Sequence, residues 1–262
     1  MGGIILAYQI KISLKEIEPE IWRRLIIPGN ITFRQLHQIV QASFDWLGYH
    51  LYKFQFPKTV ITEPDDSFAA GELYSDEDIV ELDPNKVKIN EFLDIYKEFE
   101  YEYDFGDGWI HSIIVEEKIR DSKINSEPEC LDGARFRPPE DVGGTTGYEE
   151  FIKIIKNKKH PEREEYLGWA EKDTRGYIYN PNYFNLNEIN RRLYYALEND
   201  EETALEILTG KGLTGKVHWG WSDTCIKTPE KTYSMQQIGD MLMRIGSDSI
   251  VTIKVKPVDV KY

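Results

Sequence analysis

The spacing of apolar side chains changes period twice within the first 56 residues. Leu6, Tyr8, Ile10, Ile12 and Leu14 alternate with Gln9, Lys11, Ser13 and Lys15, the period of two that marks a half-buried strand. After the turn EIEPE a second strand is predicted over residues 21–27, stopping at Pro28-Gly29-Asn30. The period then lengthens: Phe33, Leu36, Val40, Phe44 and Leu47 form one helical stripe, and Thr32 with Gln35 three residues on reads as a capping box. A helix is therefore predicted over residues 33–46, with His37 on or beside its apolar stripe and Gly48 ending it. Residues 51–56 return to strand, with His50 at the entrance.

The strongest alternation is FEYEYDF, residues 99–105, where Phe99, Tyr101, Tyr103 and Phe105 face one way and Glu100, Glu102 and Asp104 the other. Gly106-Asp107-Gly108 then breaks the run, and the chain is predicted to return from Trp109 as the second arm of a β-hairpin. Before it, residues 87–96 read equally as a short helix or a strand. After it, the prolines and glycines of residues 126–147 predict an irregular loop. Helices are predicted over residues 148–156, with Glu149 and Glu150 in the first turn, and over 186–197, where Asn185 and Glu188 offer a cap. The tail reads as a helix over 200–210, a strand over 216–221, a helix opened by Ser234 with Gln237, and a closing strand over 250–256. The pattern predicts an α+β fold: a mixed or antiparallel sheet, its central hairpin packed against helices, plus a C-terminal α/β extension. The expected division is 1–198 and 199–262, the tail forming a small second domain or adding strands to the first sheet.

Composition changes this picture chiefly through charge. With 40% hydrophobic and 13% aromatic residues, the 262-residue chain can bury a core without staples. Its two cysteines, Cys130 and Cys225, form no CxxC pair, which points to a reduced, cytoplasmic setting, and no membrane-spanning run is found. The net charge of −14 is concentrated: residues 61–104 carry fifteen acids against three lysines, whereas residues 1–60 carry seven Lys or Arg against four acids. The acidic block contains a turn-rich stretch, residues 62–85, read as a surface excursion. A chain this acidic is disfavoured as a nucleic-acid binder, because phosphate affinity scales with the cations offered. The basic first segment nevertheless supplies one candidate surface for nucleic acid or a protein partner, Trp22, Arg23, Arg24 and Arg34. On a strand Arg23 and Arg24 point to opposite faces, so only one can serve a given ligand.

The candidate chemistry converges on the hairpin. Asp104, Asp107 and His111 fall at one hairpin end, and Glu140 and Asp141 join them as candidate catalytic carboxylates. His50, Asp107 and His111 are the candidate ligands for a divalent metal such as zinc or manganese, a remaining carboxylate serving as general base on bound water. No cofactor beyond such a metal is indicated. The competing reading is structural: glycine-flanked aspartates accept turn amides, His111 bonds a carbonyl under Trp109, and Glu140 and Asp141 cap a loop. GGTTG before the 148–156 helix has neither the feeding strand nor the Lys-Ser/Thr of a phosphate cradle. No Walker loop, Rossmann fingerprint, nucleophile elbow or zinc-finger spacing occurs.

IEPEIWRRLIIP, TFRQLHQIVQASFDWLGYHLYKFQF, FEYEYDFGDGWIHSIIVEEKI, CLDGARFRPPEDVGGTTGYEEF and WAEKDTRGYIYNPNYFNLNEIN, in that order, resemble the Ri-plasmid ORF-three-like family over residues 5–195. The resemblance implies an α+β domain carried by plasmids and insertion elements, some members being labelled TnpR-like, and it implies no established reaction. Members often carry cysteine where this chain has Arg137 and Val142, so no cysteine-based metal or redox role carries over. Serine-recombinase chemistry lacks its arginine-flanked serine and basic DNA-binding end here. The expectation is an accessory or interaction protein with a protein partner; the alternative is a metal-dependent hydrolase using the hairpin Asp and His residues.

Overall fold

A computed structural model describes residues 5–63, 79–121, 127–174 and 178–197, together with three short strands further on. The chain divides into two units, Met1–Leu197 and Glu198–Tyr262. The first is an α+β fold whose strands are β1 (Ile5–Leu14), β2 (Trp22–Pro28), β3 (Tyr52–Phe56), β4 (Thr59–Thr62), β5 (Val80–Leu82), β6 (Glu98–Tyr103), β7 (Trp109–Asp121) and β8 (Glu129–Ala134). Among the described residues five helices accompany them: α1 (Phe33–Phe44), α2 (Asn90–Leu93), α3 (Gly144–Lys156), α4 (Arg163–Asp173) and α5 (Leu186–Ala196). The strands form one sheet in the order β5-β4-β3-β6-β7-β1-β2-β8. Every pairing is antiparallel except β4 with β5.

Alternation sorts the sheet into two unlike faces. Tyr8, Ile10, Ile12, Leu25, Phe54, Tyr101, Tyr103, Trp109 and Ile113 share the buried face. Against it α1 lays Phe33, Leu36, Ile39, Val40 and Phe44, all fully buried, with the Phe33 ring 5.0 Å from Phe54 and 5.7 Å from Phe56. The opposite face carries cross-strand ion pairs, Lys15–Glu100, Arg24–Glu116 and Lys53–Glu102, which neutralise one another locally. The capping box predicted at the start of α1 is present: the Thr32 hydroxyl accepts from Gln35 N and the Gln35 side chain accepts from Thr32 N. Asp45, with φ 67°, ends the helix two residues earlier than predicted.

Of residues 87–96, Asn90–Leu93 form the short helix α2. Residues 126–147 are not wholly irregular: β8 lies inside them as an edge strand against β2. Gly133 permits it, because a Cβ there would stand 2.6 Å from the Phe184 ring and 2.7 Å from the Trp22 carbonyl. The outer edge of β8 meets Asn190 of α5, whose Oδ1 accepts from Cys130 N at 2.6 Å while its Nδ2 donates to Cys130 O at 3.0 Å. α3 starts at Gly144, so Glu149 and Glu150 stand in its second turn instead of its first. α5 is capped as predicted, Asn185 Oδ1 accepting from the amides of Asn187 and Glu188.

In the second unit β9 (Lys216–His218), β10 (Cys225–Lys227) and β11 (Thr232–Ser234) form an antiparallel sheet in the order β11-β10-β9. The helices predicted over 200–210 and beyond Ser234, and the strand predicted over 250–256, lie outside the described residues. Among the described residues no helix is long and apolar enough to cross a membrane.

Candidate functional site

Three loops meet at one end of the sheet because of how β3, β6 and β7 pair. Tyr52 stands opposite Tyr103, and Asp104 N extends the pairing by donating to Leu51 O at 2.9 Å, which holds His50 beside the hairpin turn. Asp104 leaves the strand with φ 59°, a left-handed conformation that aspartate tolerates better than most residues. Its Oδ1 accepts from Gly106 N at 2.9 Å and Asp107 N at 3.3 Å, and Gly108 N closes the turn onto Asp104 O at 2.7 Å. One carboxylate oxygen thus shapes the turn. The other, Oδ2, lies 3.5 Å from His50 Nε2.

Glu140 and Asp141 arrive from the loop between β8 and α3. Asp141, with φ 54°, sets its Oδ1 3.3 Å from His50 Nε2, and its Oδ2 accepts from the Tyr49 hydroxyl at 3.1 Å. Glu140 is 2% exposed; its Oε1 accepts from Leu47 N at 2.7 Å and from the Tyr103 hydroxyl at 3.3 Å. Its Oε2 stands 3.9 Å from His50 Nε2 and, like that nitrogen, is buried without a hydrogen-bond partner among the described residues. Burial pushes the Glu140 carboxyl above the usual range, opposed by the Arg137 guanidinium. Burial also raises Tyr103, keeping its hydroxyl protonated as a donor. Tyr49, half exposed, sets its ring 4.4 Å from the His50 ring at a tilt of 51° and forms the solvent side with Asp141.

One imidazole ringed by three carboxylates is an arrangement short of positive charge. Donor atoms of His50, Asp104 and Asp141 lie within 4.8 Å of one another. Two ligands bound to one ion at about 2.1 Å and at a tetrahedral angle stand about 3.4 Å apart, which matches the His50 separations. The donor set, nitrogen plus hard oxygen, suits zinc or manganese.

The remaining predicted residues stand elsewhere. His111 is fully buried on the sheet's inner face: Trp46 Nε1 donates to its Nε2 at 3.2 Å, and its Nδ1 lies 3.0 Å from Trp109 O and 3.3 Å from Tyr101 O. Those contacts require the neutral ring with the proton on Nδ1, and burial lowers its pKa to about 4. Asp107 Oδ2 accepts from Gly143 N at 3.1 Å. Arg23 is buried, donating to the carbonyls of Ser43, Trp22, Ala134 and Arg135, and burial lowers its pKa to about 9. Arg24 pairs with Glu116 at 2.7 and 2.9 Å, and Arg34 pairs with Glu63. The Trp22 ring lies under Lys11 and Arg24, each 5.2 Å from its centroid. Trp22, Arg23, Arg24 and Arg34 therefore do not form one cationic surface. Tyr49 and Tyr103 were not among the residues the sequence singled out; the one signal for them is adjacency, to His50 and to Asp104.

An eight-stranded α+β sheet with an imidazole–carboxylate cluster at the end of its central hairpin defines the class. The chain belongs to the plasmid pRiA4b ORF-3-like protein family, whose profile matches residues 6–188. It is similar to the uncharacterized protein y4hQ of Sinorhizobium fredii, 33% identical over 165 residues that cover 62% of this chain and 79% of that one. Among solved structures it is similar to the protein of unknown function MM3350 from Methanosarcina mazei Go1, 33% identical with a TM-score of 0.58, covering 70% of this chain and 97% of that one.

Proposed function

We propose that the chain binds one divalent metal ion through His50, Asp104 and Asp141, with Glu140 as a neighbouring carboxylate, and that this centre supports hydrolysis. What carries the reading is the buried Glu140 Oε2, which has no hydrogen-bond partner among the described residues and stands 3.9 Å from His50 Nε2, itself 3.3 Å from Asp141 Oδ1 and 3.5 Å from Asp104 Oδ2. A divalent ion held there supplies Lewis-acid activation of water. The chain's own part is to orient the ion through three side chains from three loops, to leave the Tyr49 side open, and to present Glu140 Oε2 as a proton acceptor. The test is isothermal titration of chelator-free protein with Zn2+ and Mn2+, beside His50→Ala and Asp104→Asn. Stoichiometric binding weakened more than about tenfold by each substitution is expected. No binding, or binding that both variants keep, ends the reading.

A second reading makes the protein an accessory factor of mobile elements that docks a protein partner. It draws on four large apolar side chains left exposed between residues 178 and 194: Ile178, Tyr183, Leu186 and Tyr194. Replacing Ile178 and Tyr194 by serine should then abolish co-purification of one defined partner from its host; unchanged co-purification refutes it.

A further inference from the structure

Resting on the metal reading above, we propose that Asp107 is the positioning residue of the centre: it clamps the 140–144 loop onto the hairpin turn and so sets the distance between Asp141 and Asp104. The contact has two parts. Asp107 Oδ2 accepts from Gly143 N at 3.1 Å. Behind it, the Asp107 carbonyl presses against Gly144, where an added Cβ would stand 2.5 Å from that oxygen.

Gly143 and Gly144 both hold left-handed backbone, at φ 91° and 67°, which turns the chain out of the Asp141 bend and into α3. Asp107 thus also answers an amide at the positive end of α3, a place where a carboxylate is favoured. Asp107 comes three positions after Asp104 and Gly143 two positions after Asp141, so the clamp lies one short span behind the ligands on both loops. Other ties reach the loop at other points: Leu47 N and the Tyr103 hydroxyl hold Glu140, and Tyr49 reaches Asp141 from the solvent side. None of them joins the hairpin turn to the 141–144 bend. Partners of this kind, one step behind the ligands, set ligand orientation and affinity without touching the ion.

The experiment compares metal affinity, by competition with a fluorescent chelator for Zn2+ and Mn2+, in wild type, Asp107→Ala and Asp107→Asn. Gly143 amide exchange is measured by NMR in the same three proteins, and melting curves establish the temperature at which each is folded. Asp107→Ala should weaken metal binding about tenfold, the low end for a contact behind the ligands, and should speed Gly143 exchange. Asp107→Asn keeps an acceptor oxygen and should bind within about twofold of wild type, whereas a ligand role for Asp107 would make it as weak as alanine. Affinity in Asp107→Ala equal to wild type, or no rescue by asparagine, overturns the proposal. Should wild type bind neither metal, the site reading fails, and the exchange data then decide the clamp alone: an unchanged Gly143 rate in Asp107→Ala refutes it.

Discussion

His111 offers a quantitative test of how the hairpin's inner face is built. Its imidazole is completely buried, and its pKa falls from 6.5 to about 4 because burial disfavours the cation. The linkage sign follows: the folded state binds the proton less tightly than the unfolded chain, so stability is intact above pH 6.5 and is lost as pH falls toward 4. The lowered pKa corresponds to about 3 kcal/mol when the loss is complete, and to about 2 kcal/mol at pH 5. His37, also buried and lowered by desolvation with Arg34 adding to it, pulls in the same direction. Glu140 opposes both, since a carboxyl raised by burial favours the fold as pH falls. The His111 share is isolated by difference. Urea unfolding of wild type and His111→Gln, which keeps a donor and an acceptor for Trp109 O and Trp46 Nε1, is measured at pH 7 and pH 5. The stability gap between the two proteins should shrink by about 2 kcal/mol on acidification. A gap constant to about 0.5 kcal/mol refutes a neutral buried imidazole.

The other expectations concern the frame around the site. Arg137 is 1% exposed and pairs with Asp173 at 2.7 Å, so Asp173→Ala strands a buried guanidinium and should cost about 3–5 kcal/mol in urea unfolding. Gly144→Ala should cost about 1–3 kcal/mol from the left-handed backbone alone, read as a lowered melting temperature, with the 2.5 Å approach to Asp107 adding to it. The Cys130 thiol, buried and pushed up to about 11 by that burial, should resist thiol reagents in the native protein and react promptly in urea, as followed by peptide mapping.

The elements legible in the sequence are those whose signal is local. Strict alternation gives β1, β3 and both arms of the hairpin, and Thr32 with Gln35 or Asn185 with Glu188 mark helix starts through bonds three residues long. β8 was hidden, because its glycine reads as a break unless one knows that Phe184 fills the space above it. The start of α3 is masked in the sequence because left-handed glycines stand at its cap and first position and its first turn has no acid. α4 gathers Tyr166, Leu167, Trp169 and Ala170 without a one-sided helical stripe, so periodicity does not mark it. In the site, His50, Asp104, Glu140 and Asp141 all stood among the candidates, but their convergence depends on β3 lying beside β6, which no local pattern fixes. For His111 the signal was present: it shares parity with Trp109 and Ile113, and side chains two apart on a strand share a face, here the buried one.

Asn190 has a meaning beyond its two bonds to Cys130. A strand at a sheet margin offers its free amides and carbonyls to any extended chain that passes, the usual seed of self-association. Here one carboxamide occupies such a donor and acceptor together, impersonating the backbone of an incoming ninth strand. The layer is stopped by a counterfeit of its own repeat.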